Sequence, residues 1–134
     1  MISPSVRSMK KEVILTPDAP QAKGPYSQGF LVGGFLFVSA QGPFDPKTGN
    51  IVGPDIESQT QRTLENVKAI VEASGLRLQD VVKVSIYLSK SDDFQKMNEI
   101  YQTFFARNPP TRTTLEAKLP IPNVLVAADA VAHG

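Results

Sequence analysis

The segment Val124–Ala132, close to the end of the chain, limits the possible folds more than any other part of the sequence. Every residue in it is apolar except Asp129, and the turn-forming stretch Leu119–Asn123 comes directly before it. A continuous apolar run of this length, set off by turn residues, is typical of a β-strand that is buried on both faces. The fold therefore has to cover both faces of the sheet that contains this strand.

Further strands are predicted from short β-rich runs that are bounded by glycine, proline and aspartate. Two of these runs enclose Gly33-Gly34, a pair that suits a two-residue hairpin turn because glycine tolerates positive φ. Gly42–Gly49 is too rich in proline, glycine and aspartate to continue the hairpin, so an exposed loop is expected there. The predicted strands are Glu12–Leu15, Tyr26–Val32, Phe35–Gln41, Val81–Leu88 and Thr113–Ala117.

Two amphipathic helices are predicted from apolar residues that recur at helical spacing. The first begins at Ile56, and Gly75 follows its end as a residue that can take the left-handed conformation. The second has Asp92 as its expected N-cap, because Gln95 stands three residues further on in a capping-box pattern. It is expected to end before Pro109, since proline cannot continue a helix.

The order of these elements is β-ββ-α-β-α-ββ, which predicts an α+β fold with a single mixed β-sheet and two helices packed on one face. No third helix remains for the other face of the sheet, so a neighbouring subunit is the expected cover and the chain is expected to form an oligomer. Residues 12–134 are expected to form a single domain, and residues 1–11 a flexible N-terminal extension.

The composition excludes several classes of chemistry. The chain has no cysteine, and its one histidine, His133, stands next to the last residue, so thiolate metal sites and Ser-His-Asp triads are excluded. We expect no metal and no cofactor. Fourteen Lys plus Arg are interspersed with thirteen Asp plus Glu, which disfavours a nucleic-acid surface. No apolar stretch approaches the roughly 20 residues that cross a bilayer, so a cytoplasmic location without membrane contact is expected.

Three residues are candidates for chemistry. Arg112 follows a Pro-Pro turn, and its planar guanidinium can hold a carboxylate through two parallel hydrogen bonds, although most loop arginines face solvent. Asp129 either points to water at the edge of its strand or is buried with a partner. Tyr26, which follows Gly24-Pro25, is either a substrate-facing group or a core or interface aromatic.

Six segments, in order along the chain, cover every predicted element and carry a resemblance to a known family. They are Gly24–Gln28, Val38–Pro43, Asp45–Gly49, Leu64–Lys68, Asp93-Phe94 with Asn98 and Tyr101, and Pro110–Arg112. Together they resemble the RidA (YjgF/YER057c/UK114) family, and the last of them is similar to its Pro-x-Arg signature. The resemblance spans Glu12 to Ala132.

The resemblance implies a chorismate-mutase-like fold and a homotrimer with its clefts between subunits. It further implies hydrolytic deamination of 2-imino acids, such as 2-iminobutanoate and 2-iminopropanoate, to 2-keto acids and ammonia. Two other functions stay open. One is an endoribonuclease or translation inhibitor, a label that family members have carried; the other is a non-catalytic oligomer that binds keto acids or a protein partner.

The resemblance also assigns roles to residues by position. The arginine that binds the substrate carboxylate falls on Arg112, and the family's tyrosine falls on Tyr26. The position of its water-activating glutamate is assigned to Asp129, whose side chain is one methylene shorter. The expected substrate-binding residues are Ser39, Ala40, Asn98 and Thr114.

Overall fold

The computed structural model describes residues 10–134. Of the extension expected over residues 1–11, residues 1–9 lie outside the described part of the chain. No helix in the described range is long and apolar enough to span a membrane. The strands are β1 (Glu12–Ile14), β2 (Gly29–Val32), β3 (Phe35–Gln41), β4 (Val81–Leu88), β5 (Thr111–Glu116) and β6 (Val126–His133), and the helices are α1 (Ile56–Ala73) and α2 (Phe94–Phe104).

The strands form one sheet in the order β1-β2-β3-β6-β4-β5. β4 and β5 pair in parallel, and each of the other neighbouring pairs is antiparallel. The last strand therefore lies in the interior of the sheet, between β3 and β4. This arrangement confirms the predicted α+β fold with a single mixed sheet and two helices.

The helices cover one face of the sheet. On β6 the residues that face the helices are at most 3% exposed, and three of the four are alanines. These small side chains allow Leu64 and Ile70 of α1 to pack against the strand in a single core. The N-cap of α1 is Asp55, whose carboxylate accepts a hydrogen bond from the Ser58 amide at 2.8 Å. The buried residues of β6 are Val126, Ala128, Ala130 and Ala132.

The opposite face of the sheet, which we call the open face, has no helix over it in the described chain. The apolar residues Val13, Phe35, Phe37 and Leu115 are 43–57% exposed. On β6 Ala127, Asp129 and Val131 of this face are half-buried and His133 is exposed, so the strand is covered on one face and not on both. The expected homotrimer, which would cover this face, stays a prediction.

Two details at the ends of elements differ from the sequence prediction. Asp92 is not the N-cap of α2. The Ser91 amide instead donates to Glu116 Oε1 at 2.7 Å, and Ser91–Asp93 forms a 3-10 turn, so that Asp93 takes the N-cap position. Arg112 lies inside β5 and not in the turn before it, because the parallel pairing with β4 already begins at Thr111.

The predicted strand Tyr26–Val32 begins only at Gly29. The residues before it form a loop that the buried side chain of Gln28 holds in place. Its amide nitrogen donates to the carbonyl oxygens of Thr16, Ala19 and Pro20, and its Oε1 accepts from the Thr16 amide at 2.7 Å. The Gln28 side chain thereby supplies hydrogen bonds before regular strand pairing begins.

The buried side-chain amide of Gln59 also holds a loop through hydrogen bonds to backbone groups. Its nitrogen donates to the carbonyl oxygens of Gly53 and Asn123, and its oxygen accepts from the Leu125 amide at 2.8 Å. It therefore fixes the segment that leads into β6 against α1.

Replacing Gln59 by leucine is expected to lower the free energy of unfolding by about 2–4 kcal/mol, because three backbone groups lose their partner in a largely dry environment. Urea denaturation measures this difference. The matched control is Gln61→Leu, at an exposed position of the same helix, where a change within about 0.5 kcal/mol is expected. Equal stability of both variants would show that the loop does not depend on these hydrogen bonds.

Candidate functional site

Arg112 lies on the helix side of β5, in register with the core residue Val84. Its guanidinium carbon is 4.6 Å from the centroid of the Tyr101 ring and 5.6 Å from that of Phe94. Aromatic rings at this distance attract a cation and hold it in place. The side chain is half-buried in a depression that we call the arginine recess, which is lined by Asn98, Tyr101, Gln102, Thr103, Phe105, Ala106, Pro109 and Arg112.

Two polar atoms of the arginine recess have no hydrogen-bond partner within the described residues. They are Asn98 Oδ1 and the Tyr101 hydroxyl, and both are buried. Tyr101 is only 6% exposed, and this burial raises the pKa of its hydroxyl, an effect that the nearby Arg112 partly opposes. A buried polar group without a partner is uncommon and marks a place where a ligand or a water can bind.

The chemistry of the arginine recess suits a small carboxylate. A guanidinium donates two parallel hydrogen bonds to a carboxylate, and the neutral Tyr101 hydroxyl can donate a third. Asn98 Oδ1 can accept a hydrogen bond from an amine or imine nitrogen beside that carboxylate. The recess therefore offers donors and an acceptor in the pattern that an α-amino or α-imino acid presents.

A second concave site, which we call the tyrosine cleft, encloses about 270 Å³. It lies where loops from three parts of the chain meet the sheet, and its wall is largely apolar. The lining residues are Pro20, Gln21, Ala22, Lys23, Tyr26, Gln28, Ala40, Gln41, Gly42, Phe44, Tyr87, Leu119, Pro120, Ile121, Val124 and Ala127.

The two tyrosines of this cleft are hydrogen-bonded in opposite senses. The Tyr26 hydroxyl oxygen accepts a hydrogen bond from the Lys23 amide at 3.3 Å. The Tyr87 hydroxyl donates to Asp129 Oδ2 at 2.7 Å. That bond, followed by burial and the charge of Asp129, raises the pKa of Tyr87, while the Ser85 hydroxyl acts in the opposite direction.

Ser39 and Ala40 lie at an irregularity of β3, where the pairing with β6 shifts between Val38 and Gln41. Such bulges interrupt the ladder of backbone hydrogen bonds and are frequent beside binding sites. Ala40 lines the tyrosine cleft, whereas the Ser39 hydroxyl donates to the Ser27 carbonyl oxygen at 2.6 Å. Ser39 thus holds the loop that carries Tyr26.

The residues expected to form one site fall into two groups in the chain. Arg112 lies in the arginine recess with Asn98, and Thr114 lies on the same face of β5, in register with the buried Ile86. Asp129 is in register with Ser85, so it lies on the open face, opposite to Arg112. Tyr26, Ser39 and Ala40 belong to the tyrosine cleft and its surroundings.

Sequence reasoning missed three residues of these sites. The sequence prediction gives neither Tyr101 nor Phe94 a role in the site, but both rings face Arg112 and Phe94 is 44% exposed. The two residues are seven positions apart, a spacing that places them on one side of a helix, and this spacing could have indicated that they act together. Tyr87 was read as part of a strand, and nothing in the sequence indicated that its hydroxyl reaches Asp129.

The raised pKa values predict a loss of stability at alkaline pH. Tyr87 and Tyr101 both have pKa values above the ordinary 10.0, whereas in the unfolded chain they titrate near that value. The folded state holds these protons more tightly, so this contribution is complete below about pH 10 and is lost as the pH rises through the folded pKa values. Urea unfolding at pH 8 and near pH 11 is expected to show the decrease.

The control for this prediction is the Tyr87→Phe/Tyr101→Phe double variant, which lacks both hydroxyls. Its free energy of unfolding is expected to fall less between the two pH values, since the two hydroxyls with raised pKa values are absent. An equal decrease in the two proteins would contradict the assignment.

The single histidine contributes to neither site. The His133 ring packs 4.4 Å from the ring of Phe35 at the end of β6, and it does not line the arginine recess or the tyrosine cleft. An imidazole acid or base is therefore not part of these two sites within the described chain.

Comparison with known proteins places these features in a family. A RutC family protein of Pyrococcus horikoshii is 49% identical over 92% of this chain and 98% of its own length. The 2-iminobutanoate/2-iminopropanoate deaminase of Salmonella typhimurium is 42% identical over 90% of this chain and 96% of its own length. The crystal structure of Escherichia coli TdcF with bound serine superimposes with a TM-score of 0.87 at 38% identity, and the match covers 92% of this chain and 98% of that one.

The family model described as endoribonuclease L-PSP matches residues 16–134, which is nearly the whole described chain. The relatives and the shared fold agree with this match and confirm the family that the sequence segments indicated. The chain therefore belongs to the endoribonuclease L-PSP family, the RidA/YjgF family.

Proposed function

We propose that this protein hydrolyses 2-imino acids, such as 2-iminobutanoate and 2-iminopropanoate, to 2-keto acids and ammonia. The observation that carries the proposal is the arginine recess. There the Arg112 guanidinium lies against Tyr101, beside two buried polar atoms that lack partners among the described residues. A carboxylate with a neighbouring nitrogen is the group that satisfies all of them.

Two relatives support this choice of substrate. The Salmonella protein carries the name of a 2-iminobutanoate/2-iminopropanoate deaminase. The Escherichia coli TdcF structure holds serine, a small α-amino acid that has the same carboxylate and a nitrogen on the same carbon as an imino acid. A site of similar chemistry in this chain would accept the imine analogue of such a molecule.

We further propose that the working enzyme is a homotrimer in which the arginine recess of one chain faces the tyrosine cleft of the next. Arg112 and Asp129 lie on opposite faces of one sheet, so a single substrate molecule cannot touch both groups of residues in one chain. The open face also leaves Phe35, Phe37 and Leu115 more than 40% exposed, and a symmetric assembly would bury them.

The reaction requires little beyond positioning. A protonated imine is already a good electrophile, and Arg112 would orient it through its carboxylate so that water meets the imine carbon. Tyr26, Ser39, Ala40, Asn98 and Thr114 would shape the cavity around it. No metal or cofactor is needed for this addition and elimination, in which a base has only to accept one proton from water and return it to nitrogen.

The test uses imines that an amino acid oxidase generates in the presence of semicarbazide, which traps them as semicarbazones. Adding the protein is expected to lower the rate of semicarbazone formation, because hydrolysis competes for the imine. A heat-denatured sample serves as the control for non-specific effects. An unchanged rate at enzyme concentrations well above those of the oxidase would contradict the proposal.

The two alternative functions predict other outcomes. Endoribonuclease activity would require specific cleavage of RNA by highly purified protein and its loss in Arg112→Ala; the net charge of +1 and the position of His133 outside both sites do not favour it. A non-catalytic binding protein would bind 2-ketobutyrate tightly without imine hydrolysis.

The expected cytoplasmic location also stays a prediction.

A further inference from the structure

Among residues 10–134, the wall of the tyrosine cleft contains no carboxylate or imidazole that could accept a proton from water. Its ionisable lining residues are Lys23, Tyr26 and Tyr87. The Lys23 ammonium lies 4.1 Å from the centroid of the Phe44 ring, and an ammonium is a hydrogen-bond donor without a lone pair that could accept a proton. The arginine recess also lacks a carboxylate among its lining residues. Water that attacks an imine in this site must therefore lose its proton to another group.

Asp129 is a carboxylate that a hydrogen bond connects to the cleft. Asp129 is not one of the described residues that line the cleft. Its Oδ2 accepts a hydrogen bond from the Tyr87 hydroxyl at 2.7 Å. This short bond to a carboxylate fixes the direction of the phenol proton. What Tyr87 then offers to a molecule in the cleft is a lone pair of its oxygen, so it acts as a hydrogen-bond acceptor.

The Tyr26 hydroxyl is hydrogen-bonded in the opposite sense to that of Tyr87. Its oxygen accepts a hydrogen bond from the Lys23 amide, and its proton is free to be donated into the cleft. One tyrosine of the cleft is thus arranged as a donor and the other as an acceptor. A water molecule or a carbinolamine, which has both donor and acceptor atoms, matches this pair.

We propose that Tyr87 and Asp129 form a proton relay, in which the Tyr87 hydroxyl touches the attacking water and Asp129 is a positioning residue that acts only through Tyr87. This inference rests on the proposed imine hydrolysis and names the base for it. It also replaces direct contact between Asp129 and water with contact through the phenol. The raised pKa of Tyr87 keeps its hydroxyl protonated at neutral pH, as a relay requires.

The relay balances over the reaction. As the water oxygen forms a bond to the imine carbon, the C=N electron pair moves to nitrogen; the water proton passes to the Tyr87 oxygen while the phenol proton passes to Asp129. The same path returns the proton to the nitrogen of the carbinolamine. The C–N bond then breaks, the hydroxyl becomes the carbonyl of the 2-keto acid, and its proton leaves with ammonia as ammonium.

The experiment compares Tyr87→Phe, Asp129→Asn and the double variant in the semicarbazone assay. Each single variant keeps the shape of the side chain, so the fold is expected to be retained. In each, kcat is expected to fall by about 100-fold, with KM within about twofold because the carboxylate contact at Arg112 is intact. The double variant is expected to lose no more than the single variants, since both remove the same relay. The matched control is Asp92→Asn, an exposed carboxylate next to α2.

Three results would overturn the relay. Retention of kcat in Tyr87→Phe would show that the phenol does not carry the proton. Losses that multiply in the double variant would show that the two residues act independently. A wild-type protein that does not hydrolyse imines would overturn both the relay and the proposed function, whereas the first two results leave that function standing.

Discussion

Replacing Arg112 by alanine is expected to lower kcat/KM for imine hydrolysis by about 100-fold or more. A charge-assisted, bidentate contact contributes about 1.5–3 kcal/mol, and its loss also frees the substrate from the orientation in which water meets the imine carbon. The semicarbazone assay with oxidase-generated imines measures the effect. KM is expected to rise and kcat to fall together, because the arginine both binds and orients.

The same substitution is expected to leave the fold intact. The guanidinium contributes contacts with Tyr101 and Phe94 that are worth about 0.5–1 kcal/mol for an incompletely buried pair. Circular dichroism and thermal unfolding check this point. Arg107→Ala, an exposed arginine of the segment between α2 and β5, is the matched control and is expected to retain full activity.

Arg112→Lys separates charge from geometry. Lysine keeps the positive charge but not the planar pair of donors, so an activity between that of the wild type and that of Arg112→Ala is expected. Wild-type kinetics in Arg112→Ala would show that the arginine recess is not where the substrate carboxylate binds.

Much of the fold could be predicted because several signals agreed. The apolar run of β6, the hairpin around Gly33-Gly34 and the amphipathic pattern of α1 each specify an element and its place in a layered structure. The segments that resemble the family independently indicated the same fold. Where the prediction of α2 was wrong, at Asp92, a hydrogen bond from Ser91 to distant Glu116 decided the local geometry.

The grouping of the site residues could not be predicted in the same way. Which face of the sheet a side chain occupies depends on strand register, and a shift of one residue reverses it. Arg112 faces the helices because it is paired with Val84, and Asp129 faces the other way because it is paired with Ser85. Neither pairing follows from the spacing of these residues in the sequence.

That separation has a direct consequence if the active site is shared between chains. Two variants, each inactive by itself, should restore activity when they occupy the same trimer. Arg112→Ala disables the arginine recess and leaves the tyrosine cleft intact. Ala40→Trp does the reverse, because Ala40 is exposed at the bulge of β3 and a tryptophan there fills part of the cleft of about 270 Å³.

Co-expression of the two variants with different affinity tags, followed by purification on both tags, isolates mixed trimers. In a cyclic trimer with either composition, one of the sites joins an intact recess to an intact cleft, so roughly one third of the wild-type activity is expected. Each variant carried through the same procedure alone is expected to be inactive. Sites contained within single chains would leave the mixed trimers inactive as well, and a failure to recover any protein that carries both tags would contradict the oligomer itself. The mixed trimer therefore tests the feature on which the proposed site depends, which is that Arg112 and the tyrosine cleft contact one substrate only when they belong to different copies of the chain.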